Sequence, residues 1–301
     1  MAQSMVMFTS DIRRASAIAS IRRLGSLTVL IAAAAGCTSI PAGRYQALRA
    51  ASEDVYGNVD DTYARIEKRQ RDFVVLTAPD RPLSAETFTV RGQSFDISPE
   101  LGHRRDALDA LVKYTRALEA IAGKDYATDV DKSAQDLAAS LRTLEGRDDS
   151  ATISNAFGTV ADLLARALTD SMRLSALKQA MDLGQPGVEA LASLLQGSNK
   201  KVGAFVSIMQ SRFVGHAQAD RPKFGTWARY HLDLEIAATL DEFQQIHEAL
   251  QTANAALAQL PQAHREIRLS LDNREQGLGA LRHLIQEVKQ LQKFYRNLPS
   301  N

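Results

Sequence analysis

Apolar residues recur three and four positions apart along almost the whole chain, which is the spacing of one face of an α-helix. From Tyr45 the stepping runs through Leu48, Val55, Val59, Ile66, Phe73 and Leu76, with Ser52, Thr62 and Arg69 completing the seam. Leu232, Ile236, Phe243, Ile246, Leu250, Ala253, Leu257 and Leu260 keep the same rhythm, broken only at Thr239. Ile267, Leu271, Leu278, Leu281, Ile285 and Val288 repeat it, with Arg274 as the exception. Narrow stripes with polar flanks suit long helices packed at shallow angles, as in bundles and coiled coils. Aromatic residues make up only 6% of the chain, which further favours helix over sheet.

The breaks between stripes define the elements. Pro79-Asp80-Arg81-Pro82 ends the first helix, and Ser98-Pro99 starts the second, with Ser98 as cap and Pro99 at the first helical position. Gly123-Lys124-Asp125 separates that helix from one near 127–145 carrying Ala134, Leu137, Leu141 and Leu144. Gly146 to Asp149 turns into a helix built on Ile153, Phe157, Val160, Leu164 and Leu174. Gly184-Gln185-Pro186 starts the next, with Val188, Leu191, Leu195, Val202, Phe205 and Met209 in register, weakened at Gly197 and Gly203 and closed by Asp220-Arg221-Pro222. At Pro261 the seam continues in phase, and a turn between antiparallel helices is preferred over a kink because folding back buries both stripes. The one strand candidate is Thr87 to Ile97, a hairpin turning at Arg91-Gly92-Gln93.

The N-terminus has a different composition. Arg13, Arg14, Arg22 and Arg23 precede an uncharged run from Leu24 to Ala35. A helix of about 12 residues reaches roughly 18 Å, against a hydrocarbon core of about 30 Å. A basic segment, a short apolar run and small residues after it make an export signal, and Met5 and Met7 are alternative starts for it. Ala34-Ala35-Gly36-Cys37 resembles the lipobox of bacterial lipoproteins, although Ala34 stands where that family usually has leucine. The resemblance implies cleavage before Cys37, a diacylglyceryl thioether on its sulfur and acylation of the new amino group. It covers only about the first 40 residues and implies nothing about the rest of the fold. Thr38 after the cysteine implies the outer membrane, where Asp would imply retention at the inner one. Cys37 is the only cysteine, so no disulfide can form within one chain. Ordinary signal cleavage, leaving a soluble periplasmic protein, and an uncleaved core helix are the competing readings. The twin-arginine reading of Arg22-Arg23 fits its neighbours poorly.

Charge and motifs exclude more than they assign. The chain has 36 basic and 35 acidic residues, and removing residues 1–37 leaves 32 and 34, a formal −2. A near-neutral surface does not suggest a nucleic-acid binder. The six histidines, at 103, 216, 231, 247, 264 and 283, show no metal-ligand spacing; His231 and Glu235 share an ordinary charged flank, and His247 and His264 read as packing residues. No nucleophile elbow or phosphate-binding glycine loop is present, and Asp148-Asp149 and Asp241-Glu242 suit helix starts or solvent-facing flanks. No cofactor is implied.

One stretch stands apart, Arg221 to His231. Phe224, Trp227 and Tyr230 occur there with Arg221, Lys223 and Arg229. The preferred reading is a corner where the aromatics seal the bundle core; the alternative is a docking spot for a protein or for lipid headgroups. Taken together, residues 1–36 are expected to be a lipoprotein signal peptide. Residues 37–301 are expected to form an all-α, elongated up-and-down bundle of six or seven helices, with 77–98 as an irregular linker or hairpin. The expected role is a non-catalytic scaffold, adaptor or assembly factor, anchored to the membrane through Cys37, with an envelope protein partner and room for homo-oligomers. The alternative is an envelope enzyme or apolar-ligand carrier using a groove in the bundle.

Overall fold

The computed structural model describes residues 40–77, 89–90, 93–94, 97–123, 126–144, 148–166, 169, 171–273 and 277–296. Ile40–Asn301 forms one compact unit. Among the described residues seven α-helices occur: α1 Ala42–Thr77, α2 Ser98–Ala122, α3 Tyr126–Arg142, α4 Ala151–Leu164, α5 Arg173–Asp220, α6 Thr226–Leu269 and α7 Gly279–Arg296. The chain is an all-α helical bundle. Between α1 and α2, strands β1 (Thr89–Val90) and β2 (Gln93–Ser94) pair antiparallel, Thr89 with Ser94 and Val90 with Gln93. Gln93 is therefore part of the returning strand, not of the turn. The rest of the Thr87 to Ile97 hairpin, apart from Ile97, lies outside the described residues.

Side-chain pairs fix the helix directions. Arg49 meets Glu119 at 3.0 Å and Arg105 meets Glu67 at 2.9 Å, so α1 and α2 are antiparallel. Tyr45 meets Met181 and Tyr63 meets Asn199, so α1 and α5 are parallel. Arg268 meets Asp182 and Asn199 meets Asn254, so α6 returns antiparallel to α5. The four long helices thus run up, down, up, down, with α1 packed on α2 and α6, and α5 packed on α2 and α6. The α3–α4 hairpin covers α2 and α5, while α7 covers α1 and α6.

The predicted stripes form the core. Tyr45, Leu48, Val55, Val59 and Ile66 of α1 are buried with Leu177, Val188, Leu191 and Leu195 of α5 and Phe243 to Ile267 of α6. The space between Ala51, Val55, Leu111, Leu257, Leu260 and Leu284 leaves no room for a water-sized sphere. Interiors of this density lose contacts with every deleted methyl group.

Three predicted boundaries move. α5 runs unbroken through Pro186, Gly197 and Gly203, and α6 runs unbroken through Pro261. A proline in a helix forfeits one backbone hydrogen bond. Continuous burial on both sides offsets that loss: Leu177, Met181, Val188 and Leu191 around Pro186, and Leu257, Leu260, His264 and Ile267 around Pro261. The break comes earlier, between Leu164 and Arg173, in a stretch containing neither proline nor glycine, so Leu174 belongs to α5 and not to α4. At α2 the helix begins one residue before the expected position, with Ile97 preceding it and Ser98 inside its first turn.

Candidate interaction surface and groove

At about 1.5 Å per residue, the 48 residues of α5 span roughly 72 Å. Arg69 of α1 pairs with Glu242 of α6, and only two more turns of α1 follow. Beyond that level α5 and α6 continue as a two-helix hairpin whose residues 221–231 are all exposed.

A 3₁₀ turn at Arg221–Lys223 joins the two helices, with Gly225 extended at the start of α6. The basic side chains of the tip hold this turn. Arg221 grips both carboxylate oxygens of Asp233 at 2.8 Å, and Lys223 meets Asp220 at 2.5 Å. Arg229 donates to the carbonyl of Phe224 at 2.7 Å and to that of Pro222 at 3.4 Å. The hydrogen bonds from Arg221 and Lys223 hold the carboxyls of Asp233 and Asp220 below their usual range. All these groups face water, so their attraction is weakened by salt.

The aromatic residues do not seal the core, which corrects the preferred sequence reading. Trp227 is 72% exposed, Tyr230 52% and Phe224 43%. Their rings cover each other instead: Trp227 lies 5.6 Å from Tyr230 at 25°, and His231 sits edge-on to Trp227 at 4.6 Å. The reason is helical phase. Leu232, Ile236, Thr239 and Phe243 share one face of α6, and extending it backward gives Ala228 and not Trp227. Trp227, Tyr230 and Leu234 occupy the opposite face, where Leu234 is 51% exposed. The core at this end is closed by Phe213 and Phe243, whose rings are 6.4 Å apart.

Where α1 ends against α5 and α6 there is a groove of about 280 Å³. Phe73, Val75, Phe213 and Phe243 form its apolar walls; Arg69, Asp72, Glu235 and Thr239 supply its polar atoms. Arg69 bonds Asp72 at 3.3 Å as well as Glu242, while its buried Nε has no hydrogen-bond partner among the described residues. Burial lowers the pKa of Arg69, opposed by the charges of Asp72 and Glu235. Glu242, read from the sequence as a solvent-facing flank, is buried by this pairing. The volume lies just below the usual small-ligand range of about 300–1,000 Å³.

A third polar group lies inside the bundle. The Tyr114 hydroxyl is 2.7 Å from His264 Nε2, and His264 Nδ1 is 2.6 Å from Gln185 Oε1. An amide oxygen only accepts, so Nδ1 carries the proton and Nε2 accepts from Tyr114. Gln185 in turn donates to Glu189 and to the carbonyl of Pro261. Burial pushes the His264 pKa down to about 3, so the ring is neutral at physiological pH. This network satisfies its own polar atoms.

The other histidines are scattered. His103 is buried with Nε2 3.3 Å from Asp149, His247 is 3.3 Å from Ser207, and His216 and His283 are exposed. Among the described residues no cluster of three histidine, cysteine or acidic side chains is placed to hold a metal ion, and no helix is long and apolar enough to cross a membrane. Cys37 lies outside the described residues. No known protein family, curated protein or solved structure matches this chain.

Proposed function

We propose that the chain is an exported, lipid-anchored scaffold or adaptor of a bacterial cell envelope, acting without catalysis through the tip of its α5–α6 hairpin. The observation that carries this reading is the 72% exposure of Trp227 on a hairpin tip whose basic side chains are engaged by its own carboxylates and carbonyls. Exposed clusters of Trp, Tyr and Leu are costly to leave in water and mark interaction surfaces. The filled core supports an adaptor over a hollow-bundle carrier.

The lipobox-like sequence supports the anchor. Four residues, Thr38 to Pro41, lie between Cys37 and Ala42, so a lipid there would tether the bundle by the start of α1. Tyr45 of α1 meets Met181 of α5, and 40 residues of α5 and its turn, about 60 Å, separate Met181 from Arg221. A tether at one end and a contact surface at the other suit a protein that reaches away from its membrane. Two or three acyl chains make release negligible, where one would hold only marginally.

Two measurements test the proposal. Mass spectrometry of the mature N-terminus should find a diacylglyceryl group on Cys37; an unmodified Cys37 or an intact chain from Met1 counts against the anchor. A pull-down from intact envelopes should lose its specific partner with Trp227→Ala while the melting temperature holds, and an unchanged capture counts against the tip. The groove lined by Phe73, Phe213 and Phe243 favours a second reading, an apolar-ligand site. Saturable binding of a fluorescent apolar probe, abolished by Phe213→Trp, would support that reading.

A further inference from the structure

The exposed face of α6 is shaped to fit a copy of itself. Along Trp227, Tyr230, Leu234 and Ala238 the steps are three, four and four residues, as in a coiled-coil seam, and all four are exposed. The side chains shrink steadily along this face, from the indole of Trp227 to the methyl of Ala238. Phe224 and Lys223 stand at the bulky end, and Asp241, exposed on the same face, stands at the small end. The sizes along this stripe are therefore complementary to its own reverse, and an exposed cation in the turn before it and an exposed carboxylate at its far end have opposite charge.

We infer that two copies of this chain pair antiparallel through this face, about a two-fold axis near Leu232 and Asp233. The inference rests on the reading of the tip as a contact surface and names its occupant. In this register Trp227 of each copy covers Ala238 of its mate, Tyr230 and His231 meet Leu234, and Lys223 approaches Asp241. Each contact occurs twice, as a two-fold interface requires. Large residues fill the space left by small ones, which packs the seam to interior density.

The area fits a reversible dimer. Covered aromatic side chains bury about 150–250 Å² each. With Trp227 72%, Tyr230 52% and Leu234 51% exposed, each copy offers on the order of 350 Å² of apolar surface. Doubling that gives about 700 Å² of apolar surface, which belongs with weak, transient interfaces below about 1,200 Å² in total. The dimer should form and dissociate with concentration.

The test uses the full chain with Cys37→Ala, purified in a mild non-ionic detergent. Light scattering after size exclusion should show monomer converting to dimer with rising concentration. Trp227→Ala should weaken the dimer at least tenfold, and so should Ala238→Trp, which blocks the small end without touching the core. A cysteine at Leu234 should be cross-linked to its mate by a short bismaleimide. One at Asp241 should not, because the two sites lie about 25 Å apart along the seam. A dimer that survives both Trp227→Ala and Ala238→Trp, or that cross-links through Asp241→Cys, overturns the inference. So does a monomer at all concentrations; if that monomer's Trp227 still captures another envelope protein or anionic vesicles, the contact surface stands and only its occupant was wrong.

Discussion

Gly184→Ala tests how the bundle is packed around its central polar network. A Cβ added at Gly184 would stand 2.5 Å from Cζ and 2.7 Å from Cε2 of Tyr114, with the hydroxyl closer still. Ordinary carbon contacts begin near 3.4 Å, so the ring would have to retreat by about 1 Å. It has nowhere to go. Phe157 is stacked on one face of the ring at 4.5 Å, and Phe157 is itself packed against Gly187, since a Cβ there would be 2.8 Å from its ring. The Tyr114 hydroxyl is also bound to His264 at 2.7 Å. Overpacking costs about 1–3 kcal/mol and a loosened buried hydrogen bond a similar amount, while the helical preference of alanine over glycine returns about 1 kcal/mol. The net loss should be about 2–4 kcal/mol, a fall in melting temperature of roughly 5–10 °C for a domain of this size. The control is Gly197→Ala in the same helix, where nothing lies within 4 Å of the new methyl group. It should raise stability by about 0.5–1 kcal/mol. Urea unfolding of the two variants beside wild type gives both values. Equal stabilities for Gly184→Ala and Gly197→Ala would refute the close packing of α2 against α5.

Other perturbations have outcomes of known sign. His264 has a folded pKa near 3 against an unfolded value near 6.5, so below pH 6.5 the unfolded chain binds the extra proton and stability falls as pH falls. Between pH 7.5 and 4.5 this one group should cost about 2.5 kcal/mol, and His264→Gln should flatten the slope there; the carboxyls with lowered pKa values begin to add to it only below about pH 5. Trp227→Ala should change the urea midpoint negligibly, whereas Phe157→Ala, whose ring is buried, should lose about 3–5 kcal/mol. High salt should loosen the hairpin turn by screening Arg221 from Asp233, seen as faster amide exchange near Phe224 at unchanged global stability.

The long helices could be read from the sequence because burial repeats with helical period over many turns. Tyr45 to Ile66 and Phe243 to Ile267 are buried as their spacing predicts. The two helices that overrun their expected breaks do so for one reason: Pro186 and Pro261 are local penalties, while the stripe that overrides them comes from several helices. The break after Leu164 contains no proline or glycine, and its local signal is the cap-type run Thr169-Asp170-Ser171 just before α5. The aromatic corner was readable as a place but not as a surface until its phase against Leu232 and Ile236 was followed back past Ala228. The Arg69–Glu242 pair and the groove beside it depend on where α1 stops relative to α6, which no single-segment pattern encodes.

Trp227 is the only tryptophan in the chain, so its fluorescence reports on the tip alone. In dilute folded protein its emission should be red-shifted and quenched by iodide almost as readily as after unfolding in urea. Emission should move to the blue, and quenching should fall, as the tip meets its partner. A blue-shifted, iodide-protected tryptophan in the dilute monomer would mean that the indole is part of the core, and would contradict the exposed tip on which the proposed function rests.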